Sequence, residues 1–284
     1  MAPAAPDPAP EAACLNCGAG LVGPFCHACG QRDEPPELPA RRIVQDALGD
    51  LFAWDGRVAQ SLRTLVRHPG VLAEDWAAGR RARHVPPFRL YLLVSLVYVG
   101  LTAGYETAKD VFVVDPVEAV DDDEEDLRES LKGFVPVAKV PALVAYAQAV
   151  ISLGSRWMFV LMPLGGFGLF VLYGLRRRSY AAHFVLAIHV FTVVMLLLAA
   201  RRLLQLAVAV LVQQRLGEAL HGASDGLALL LFVVATGYAA ASIRRFYGVG
   251  WGKAVLSAPA VTVGPVAGWV AIFIAGWMLI LVLP

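Results

Sequence analysis

The stretch that decides the fold reads Arg80-Arg81-Ala82-Arg83-His84-Val85-Pro86-Pro87-Phe88-Arg89, and sixteen residues without a charged side chain follow it, from Leu90 to Tyr105. Arginines ahead of an apolar run favour the cytoplasmic side of a bilayer. The stretch therefore predicts a first transmembrane span over residues 88–105. Its orientation follows from Arg80, Arg81, Arg83 and Arg89, which we expect on the cytosolic side. The Arg89 side chain is expected to reach the lipid headgroups, with Tyr91 near the interface.

The composition is that of a membrane protein. Of the 284 residues, 58% are hydrophobic and 17% are charged, and the mean hydropathy is +0.61. Soluble domains average roughly 45–50% apolar and about 25% charged residues. The formal net charge of +1 gives no general attraction to nucleic acid. Residues 1–13 are rich in alanine and proline and lack the basic, apolar pattern of a signal peptide. We therefore expect a disordered tail and a cytosolic N-terminus.

Further apolar stretches predict an all-α polytopic bundle of about five spans within residues 88–284. The four that follow the first span cover residues 157–175, 180–200, 226–243 and 254–284. Prolines 259 and 265 interrupt the last of them. The lipid bilayer is therefore the principal partner expected for this region.

Basic clusters set the direction of these spans. Arg176, Arg177 and Arg178 follow the second span, and Arg244 and Arg245 follow the fourth, so both clusters are expected on the cytosolic side. Arg201 and Arg202 follow the third span and would lie outside, against this bias. We interpret the last two as interfacial anchors on a helix that continues toward Gln213.

An acidic segment, residues 106–136, separates the first two spans. Eleven of the 23 acidic residues lie between Glu106 and Glu129, and residues 121–126 are six consecutive acids. Calcium ligands normally stand at alternate positions around a glycine turn, which this run lacks. The segment is predicted to be a solvated external loop.

All four cysteines lie near the N-terminus, in two Cys-x-x-Cys pairs formed by Cys14, Cys17, Cys26 and Cys29. Each pair closes a tight turn, and the glycine that follows it, Gly18 or Gly30, can adopt a positive φ and turn backbone N–H groups toward the sulfurs. Two such pairs predict a zinc ribbon over residues 14–32, in which four thiolates hold one structural Zn²⁺. Iron is the alternative ion for a tetrahedral four-thiolate site.

Other interpretations of the cysteines fit less well. A chain without an export signal is expected to stay in a reducing compartment, which disfavours disulfides. No βαβ pattern surrounds the pairs, as a thioredoxin-like redox motif would require. No charged side chain lies between Cys14 and Gln31, so nothing in the ribbon neutralises phosphates and no nucleic acid is expected there. A protein partner at the ribbon is the expectation.

Two further segments connect the ribbon to the first span. Residues 33–40 form a linker rich in proline and acid, and residues 41–87 carry an amphipathic pattern. Apolar residues from Ile43 to Val66 recur at helical spacing and predict a helix bent near Gly56. This helix lies either in the headgroup region or against the cytosolic ends of the bundle. A short second helix from Val71 to Ala78 is predicted to stop at Gly79.

His183 and His189 are the candidate functional side chains inside the spans, because buried ionisable groups in a membrane are functional by default. Six residues of helix turn them about 120° apart, whereas helical zinc pairs prefer i and i+4. We favour a structural interpretation, with His183 near the cytosolic interface and His189 hydrogen-bonded to a neighbouring helix. Transport or lipid handling by the bundle stays open. An intramembrane metalloenzyme has less support, since no carboxylate partners are evident.

The two cysteine pairs read Cys-x-x-Cys-Gly and Cys-x-x-Cys-Gly-Gln, and the same sequence contains four further motifs, at residues 64–70, 79–91, 183–189 and 244–248. Together these motifs resemble a bacterial family of zinc-ribbon membrane proteins catalogued as domain of unknown function 3667. The acidic residue expected before the first histidine is Ala182 here. The resemblance implies a protein of the bacterial cytoplasmic membrane with a zinc ribbon, and it brings no activity. A membrane-tethered interaction or regulatory protein is therefore the leading functional hypothesis.

Overall fold

The computed structural model describes residues 13–35, 56–112, 157–174, 178–212 and 217–282, together with residues 142 and 146. Its helices are α1 (Gly56–Arg67), α2 (Val71–Ala77), α3 (Pro87–Phe112), α4 (Trp157–Tyr173), α5 (Tyr180–Val212), α6 (Gly217–Tyr247), α7 (Trp251–Ser257), α8 (Pro259–Thr262) and α9 (Gly264–Val282). The predictions for the N-terminal tail, most of the linker, the helix before Gly56 and most of the acidic segment lie outside the described residues.

Helix α5 is the centre of the bundle. It is apolar on all sides, and such a helix is stable where neighbours surround it. Helices α3, α4 and α6 all pack against it. Within its apolar window 78% of the residues are buried inside the protein, compared with 28% in the windows of α3 and α6. The predicted continuation beyond Ala200 is confirmed, since α5 ends at Val212.

Among the residues that the structure describes, three helices are long and apolar enough to cross a bilayer. They correspond to the predicted first, third and fourth spans and cover Pro87–Tyr105, Tyr180–Val208 and Gly226–Tyr247. The second and fifth predicted spans hold shorter apolar helices, Met162–Tyr173 and Phe273–Val282. The 17 residues of α4 extend about 26 Å at 1.5 Å per residue, short of a hydrocarbon core of about 30 Å. The count of five spans therefore stays a prediction.

The structure changes the predicted end of the first span and confirms the predicted interruption of the last apolar stretch. Helix α3 continues to Phe112, so the first residues of the predicted external loop are helical. The last apolar stretch is divided, as the prolines predicted: α7 ends at Ser257 and α8 begins at Pro259. Proline has no N–H to donate and is favoured at the start of a helix for that reason. Pro265 likewise lies in the first turn of α9.

Helices α1 and α2, which cover residues 56–77 of the predicted amphipathic segment, pack on one end of the bundle. A position in the headgroup region stays a prediction. Val58, Leu65 and Leu72 are buried together with Leu90 of α3 and Val193 of α5. The Tyr238 hydroxyl of α6 donates a hydrogen bond of 2.8 Å to the Leu65 carbonyl. These contacts attach the α1–α2 hairpin to three helices of the bundle.

The positions expected for Arg89 and Tyr91 are corrected by this packing. Arg89 is 3% exposed and Tyr91 is fully buried, although the sequence placed the first among the headgroups and the second near the interface. Tyr91 lies in the same cluster as Ala73 and Trp76 of α2. These two side chains are therefore enclosed by protein at the start of α3.

Basic clusters from distant parts of the chain meet at this same end. Arg245 donates through Nε to Glu74 Oε2 at 3.0 Å, which joins the end of α6 to α2. Arg178 donates through Nη2 to the Phe246 carbonyl at 3.0 Å. Arg202 lies elsewhere, over the Tyr105 ring at 5.0 Å. The structure thus places Arg178 and Arg245 beside the α1–α2 hairpin and Arg202 at the far end of the first span.

Ser61 holds the α1–α2 hairpin to the start of α3, and its removal should be measurable. The Val85 N–H donates to Ser61 Oγ at 3.0 Å in a buried environment. We expect Ser61→Ala to lower the free energy of unfolding by about 1–3 kcal/mol, the cost of a buried N–H without a partner. Denaturant unfolding in detergent measures it. Ser95→Ala is the control, because Ser95 Oγ donates to the Leu92 carbonyl of its own helix and to no other group of the described residues. Equal losses in both variants would contradict the assignment.

Candidate metal centre

Four cysteine sulfurs converge at the N-terminal end of the described chain. The Sγ atoms of Cys14, Cys17, Cys26 and Cys29 all lie within 4.8 Å of one another. The Cys14–Cys29 and Cys17–Cys26 pairs are separated by 3.6 and 3.5 Å. A tetrahedron with Zn–S bonds of about 2.3 Å has sulfur–sulfur edges of about 3.8 Å, whereas a disulfide bond is about 2.05 Å long. The four free thiols therefore have the geometry of a site for a single metal ion.

The two halves of the centre repeat one backbone pattern. Gly18 and Gly30 have φ values of 78° and 73°, which confirms the conformation predicted for the glycine after each pair. Each glycine N–H donates 2.8 Å hydrogen bonds back to the carbonyl of the first cysteine, Cys14 or Cys26. Each first cysteine in turn donates to the carbonyl five residues ahead, and for Cys26 this acceptor is Gln31.

The electrostatics of the centre favour a bound cation. The Ala19 N–H donates to the Cys17 sulfur and favours its thiolate, but the neighbouring sulfurs of Cys26, Cys29 and Cys14 oppose this and raise the pKa of Cys17 to about 12. Four crowded thiolates repel one another, so they are stable together only around a positive ion.

The coordination that these sulfurs offer is closed. Four thiolates fill a tetrahedral metal and leave no position for a substrate or an activated water. Cys14 and Cys26 are buried, and Cys17 is exposed. Within the parts of the chain that the structure describes, this is the one place where three or more His, Cys, Asp or Glu side chains come together in metal-binding geometry. The centre is therefore suited to holding structure and not to catalysis.

Gln31 connects the metal centre to the membrane-proximal turn ahead of α3. Its side-chain Nε2 donates to the Gly79 carbonyl at 2.7 Å. Its Oε1 accepts from the backbone N–H groups of Arg81 and Ala82 at 2.9 and 3.0 Å. One carboxamide thus satisfies three backbone groups of the turn, while the Gln31 carbonyl closes the second cysteine pair. We call this set of contacts the Gln31 clamp.

Gly79 completes the contact between ribbon and turn. Its φ is +78°, in the left-handed region that disfavours side chains. A Cβ at this position would also lie 2.6 Å from Leu15 Cδ1. Leu15 lies between the first two cysteines, so the first cysteine pair packs directly on Gly79. Both halves of the ribbon therefore contact the same turn.

The far side of the turn is fixed to α2. Arg80 donates through Nη2 and Nε to Asp75 Oδ1 at 2.6 and 2.9 Å. His84 Nε2 lies 3.3 Å from the other carboxylate oxygen of Asp75. The Arg81 guanidinium lies 4.9 Å from the centre of the Trp76 ring. The turn is therefore held between the ribbon on one side and α2 on the other.

His84 gives this turn a pH dependence. Burial lowers the pKa of His84 below its ordinary value of 6.5, although the charge of Asp75 opposes the shift. The folded protein therefore prefers neutral His84, and the corresponding stability is present above pH 6.5 and is lost as the pH falls toward the lower folded-state pKa. We expect His84→Gln to flatten the decrease in unfolding free energy between pH 7.5 and 5.5. His68→Gln, at an exposed position, should keep the wild-type slope, and identical slopes for all three proteins would contradict the expectation.

The two intramembrane candidates are buried but separate from the metal centre. His183 is fully buried and His189 is 3% exposed. His183 Nδ1 shares a 2.5 Å hydrogen bond with the Tyr247 hydroxyl, and the Tyr247 ring stacks on Tyr173 at 3.9 Å. His183 Nε2 and His189 Nδ1 have no hydrogen-bond partner among the described residues. His183 thus lies beside the end of α6. Its position near the cytosolic interface and a bond from His189 to a neighbouring helix stay predictions.

Sequence reasoning found the cysteines but missed Gln31, Gly79 and Asp75. The sequence signal for Gln31 was its place in a motif that carries the family resemblance. Gly79 belongs to such a motif too and was also predicted as the end of the second helix, but its contact with the ribbon was not. Local periodicity does not pair a glutamine with a turn 48 residues away.

Comparison with known proteins supports that resemblance over part of the chain. A family model described as "Protein of unknown function (DUF3667)" matches residues 55–99. The matched residues include α1, α2, the turn that the Gln31 clamp holds, and the start of the first span. No curated protein and no solved structure matches the chain.

Proposed function

We propose that this protein is a membrane-tethered interaction or regulatory protein whose zinc ribbon is docked on the cytosolic end of a helical bundle. The proposal is for a non-enzymatic role in the cytoplasmic membrane of a bacterium. The observation that carries it is the Gln31 clamp, because it joins the metal-binding segment directly to the turn that begins the first span.

Zn²⁺ is the ion proposed for Cys14, Cys17, Cys26 and Cys29. The sulfur–sulfur separations and the all-thiolate ligand set fit it. When bound, zinc supplies a fixed cross-link between the two cysteine pairs. The chain itself then positions Leu15 and Gln31 against Gly79, so metal loading and docking of the ribbon are coupled.

The proposed topology has five spans and a cytosolic N-terminus. It is supported by the meeting of Arg178, Arg245 and the α1–α2 hairpin at one end of the bundle, since basic clusters favour the cytosolic side. The ribbon contacts the same end through the turn at Arg81. Exposed Val22 and Phe25, 87% and 59% accessible, are the ribbon side chains proposed to face a protein partner.

Cross-linking and co-purification of the tagged full-length protein from its native membrane would test this function. Three forms are compared: wild type, Cys26→Ser/Cys29→Ser, and Val22→Ser/Phe25→Ser, which keeps the metal ligands. We expect a specific partner to be recovered with wild type and lost at least tenfold in both variants. A partner list unchanged by either variant would contradict an interaction role for the ribbon.

A second candidate, transport or lipid handling by the bundle, is favoured by one observation. The central helix α5 buries His183 and His189, each with a ring nitrogen that has no partner among the described residues, and buried ionisable groups in a membrane usually serve a function. Flux or lipid-exchange measurements in proteoliposomes would test it. Unchanged rates in His183→Ala/His189→Ala would remove its support.

A further inference from the structure

Helix α7 presents an exposed apolar face at the end of the bundle. Trp251, Val255 and Leu256 are 54%, 53% and 83% exposed, whereas Ala254 and Ser257 are buried. At about 100° per residue, the three exposed side chains span about 140° and the buried ones lie on the opposite side. Scattered exposed apolar residues are ordinary, but a continuous apolar face on a short helix is typical of segments that lie in the membrane interface.

The place of α7 in the chain, between two apolar helices, favours headgroup depth for this face. The helix α6 ends at Tyr247, at the close of a candidate span, and the apolar helix α9 begins at Gly264. The seven residues of α7 connect the two. Leu229, Leu230 and Val233 of α6 are also exposed, but they lie near the opposite end of that candidate span from α7. The exposed face of α7 is therefore separate from theirs.

Two cations flank the apolar face. The Arg244 guanidinium lies 4.8 Å from the centre of the Trp251 ring, at one edge. Lys253 lies about 200° around the helix from Trp251, at the other edge, with Nζ 5.2 Å from the centre of the Tyr173 ring. Within the described ranges neither cation is in a salt bridge, whereas the adjacent Arg245 is paired with Glu74. The face therefore carries positive charge that no carboxylate of the described chain balances.

We propose that Trp251, Val255 and Leu256, with Arg244 and Lys253, form a docking surface for anionic phospholipid. The apolar side chains enter the boundary between headgroups and acyl chains, and the cations extend to the lipid phosphate and to the acidic headgroup. This inference rests on the proposed membrane placement of the bundle but involves neither the ribbon nor its metal. Charge complementarity selects a lipid as the occupant, because two cations without a carboxylate partner in the described chain lie beside an exposed apolar face.

Native mass spectrometry of the purified full-length protein, titrated with phosphatidylglycerol or phosphatidylcholine, tests the proposal. We expect wild type to prefer phosphatidylglycerol, and we expect Arg244→Gln/Lys253→Gln to reduce that preference about 25-fold. The expectation is about fivefold per charge, which corresponds to about 1 kcal/mol for each basic residue near an anionic surface. The single variants should each lose about fivefold, and Arg244→Lys/Lys253→Arg should keep the preference.

Arg202→Gln is the matched control, because Arg202 also lies over an aromatic ring, that of Tyr105 at 5.0 Å, but at the other end of the first span. It should keep the wild-type preference. Trp251→Ser/Leu256→Ser should weaken the binding of both lipids alike. An unchanged preference in the double or single glutamine variants, or an equal loss in Arg202→Gln, would overturn the proposal. Displacement of phosphatidylglycerol by millimolar inorganic phosphate would show a simple anion site and would overturn it too. None of these results alters the metal content, so failure here is distinct from failure of the proposed function.

Discussion

Cys26→Ser/Cys29→Ser is expected to remove the bound zinc and to release the ribbon from the turn. Structural zinc contributes about 10–16 kcal/mol of apparent binding free energy in small domains, and that energy is folding energy. Without it, an uncharged segment of some twenty residues with two isolated β-bridges has too small a core to stay folded. We expect zinc to fall from about one ion per chain to background. The Arg81 and Ala82 amides, which donate to Gln31, should exchange with solvent about 100-fold faster.

His27→Ala is the control for this experiment. His27 lies within the second cysteine pair but outside the set of converging ligands, so its loss should leave both the metal content and the amide protection unchanged. Hydrogen exchange followed by mass spectrometry gives the protection, and elemental analysis gives the metal. The account would be contradicted if the cysteine variant lost its zinc while the two amides remained protected, because metal loading and docking would then be independent.

Gly79→Val is expected to separate the ribbon from the turn without loss of metal. The positive φ of Gly79 costs a β-branched residue about 1–2 kcal/mol, and overpacking against Leu15 adds about 1–3 kcal/mol. The sum is comparable to the three hydrogen bonds of the Gln31 clamp, at about 1 kcal/mol each. We expect zinc to stay near one ion per chain while the exchange of the Arg81 and Ala82 amides rises by two orders of magnitude.

Gly248→Val isolates the contribution of the backbone. Gly248 has a similar φ of +64°, but nothing lies within 4 Å of an added Cβ. In this variant the conformational strain should lower the free energy of unfolding, and the ribbon should stay docked on the turn. Leu15→Ala in the Gly79→Val background should restore part of the amide protection, since it removes the overpacked side chain. Equal amide exchange in the Gly79 and Gly248 variants would show that Leu15 and Gly79 are not the docking contact.

The features that the sequence predicted are those with a local physical cause. The cysteine pairs predicted a metal centre because two residues between thiols close one turn, and the glycines at 18 and 30 adopt the expected positive φ. The apolar stretch over residues 180–200 and the residues after it predicted a helix that continues toward Gln213, and α5 ends at Val212. Pro259 predicted the interruption of the last apolar stretch. Each of these signals lies within a few residues of the feature it specifies.

The features that the sequence did not predict depend on contacts between distant segments. Arg89 was expected among headgroups because its neighbours form a membrane entry, but it is buried within the fold at 3% exposure. Gln31 meets Gly79 across 48 residues, and Tyr238 meets Leu65 across 173. No periodicity or spacing encodes such pairs. Helix α4 begins at the predicted residue, Trp157, and ends at Tyr173, two residues before the predicted end. The number of spans stays a prediction.

The central claim is that a metal-bound ribbon is docked on the cytosolic face of a membrane-embedded bundle. Its most direct test is labelling of the four cysteines with a membrane-impermeant thiol reagent in sealed vesicles of both orientations, before and after treatment with a zinc chelator. The account predicts labelling only in inside-out vesicles and only after chelation. Labelling in right-side-out vesicles, or labelling of inside-out vesicles that chelation does not increase, would contradict it.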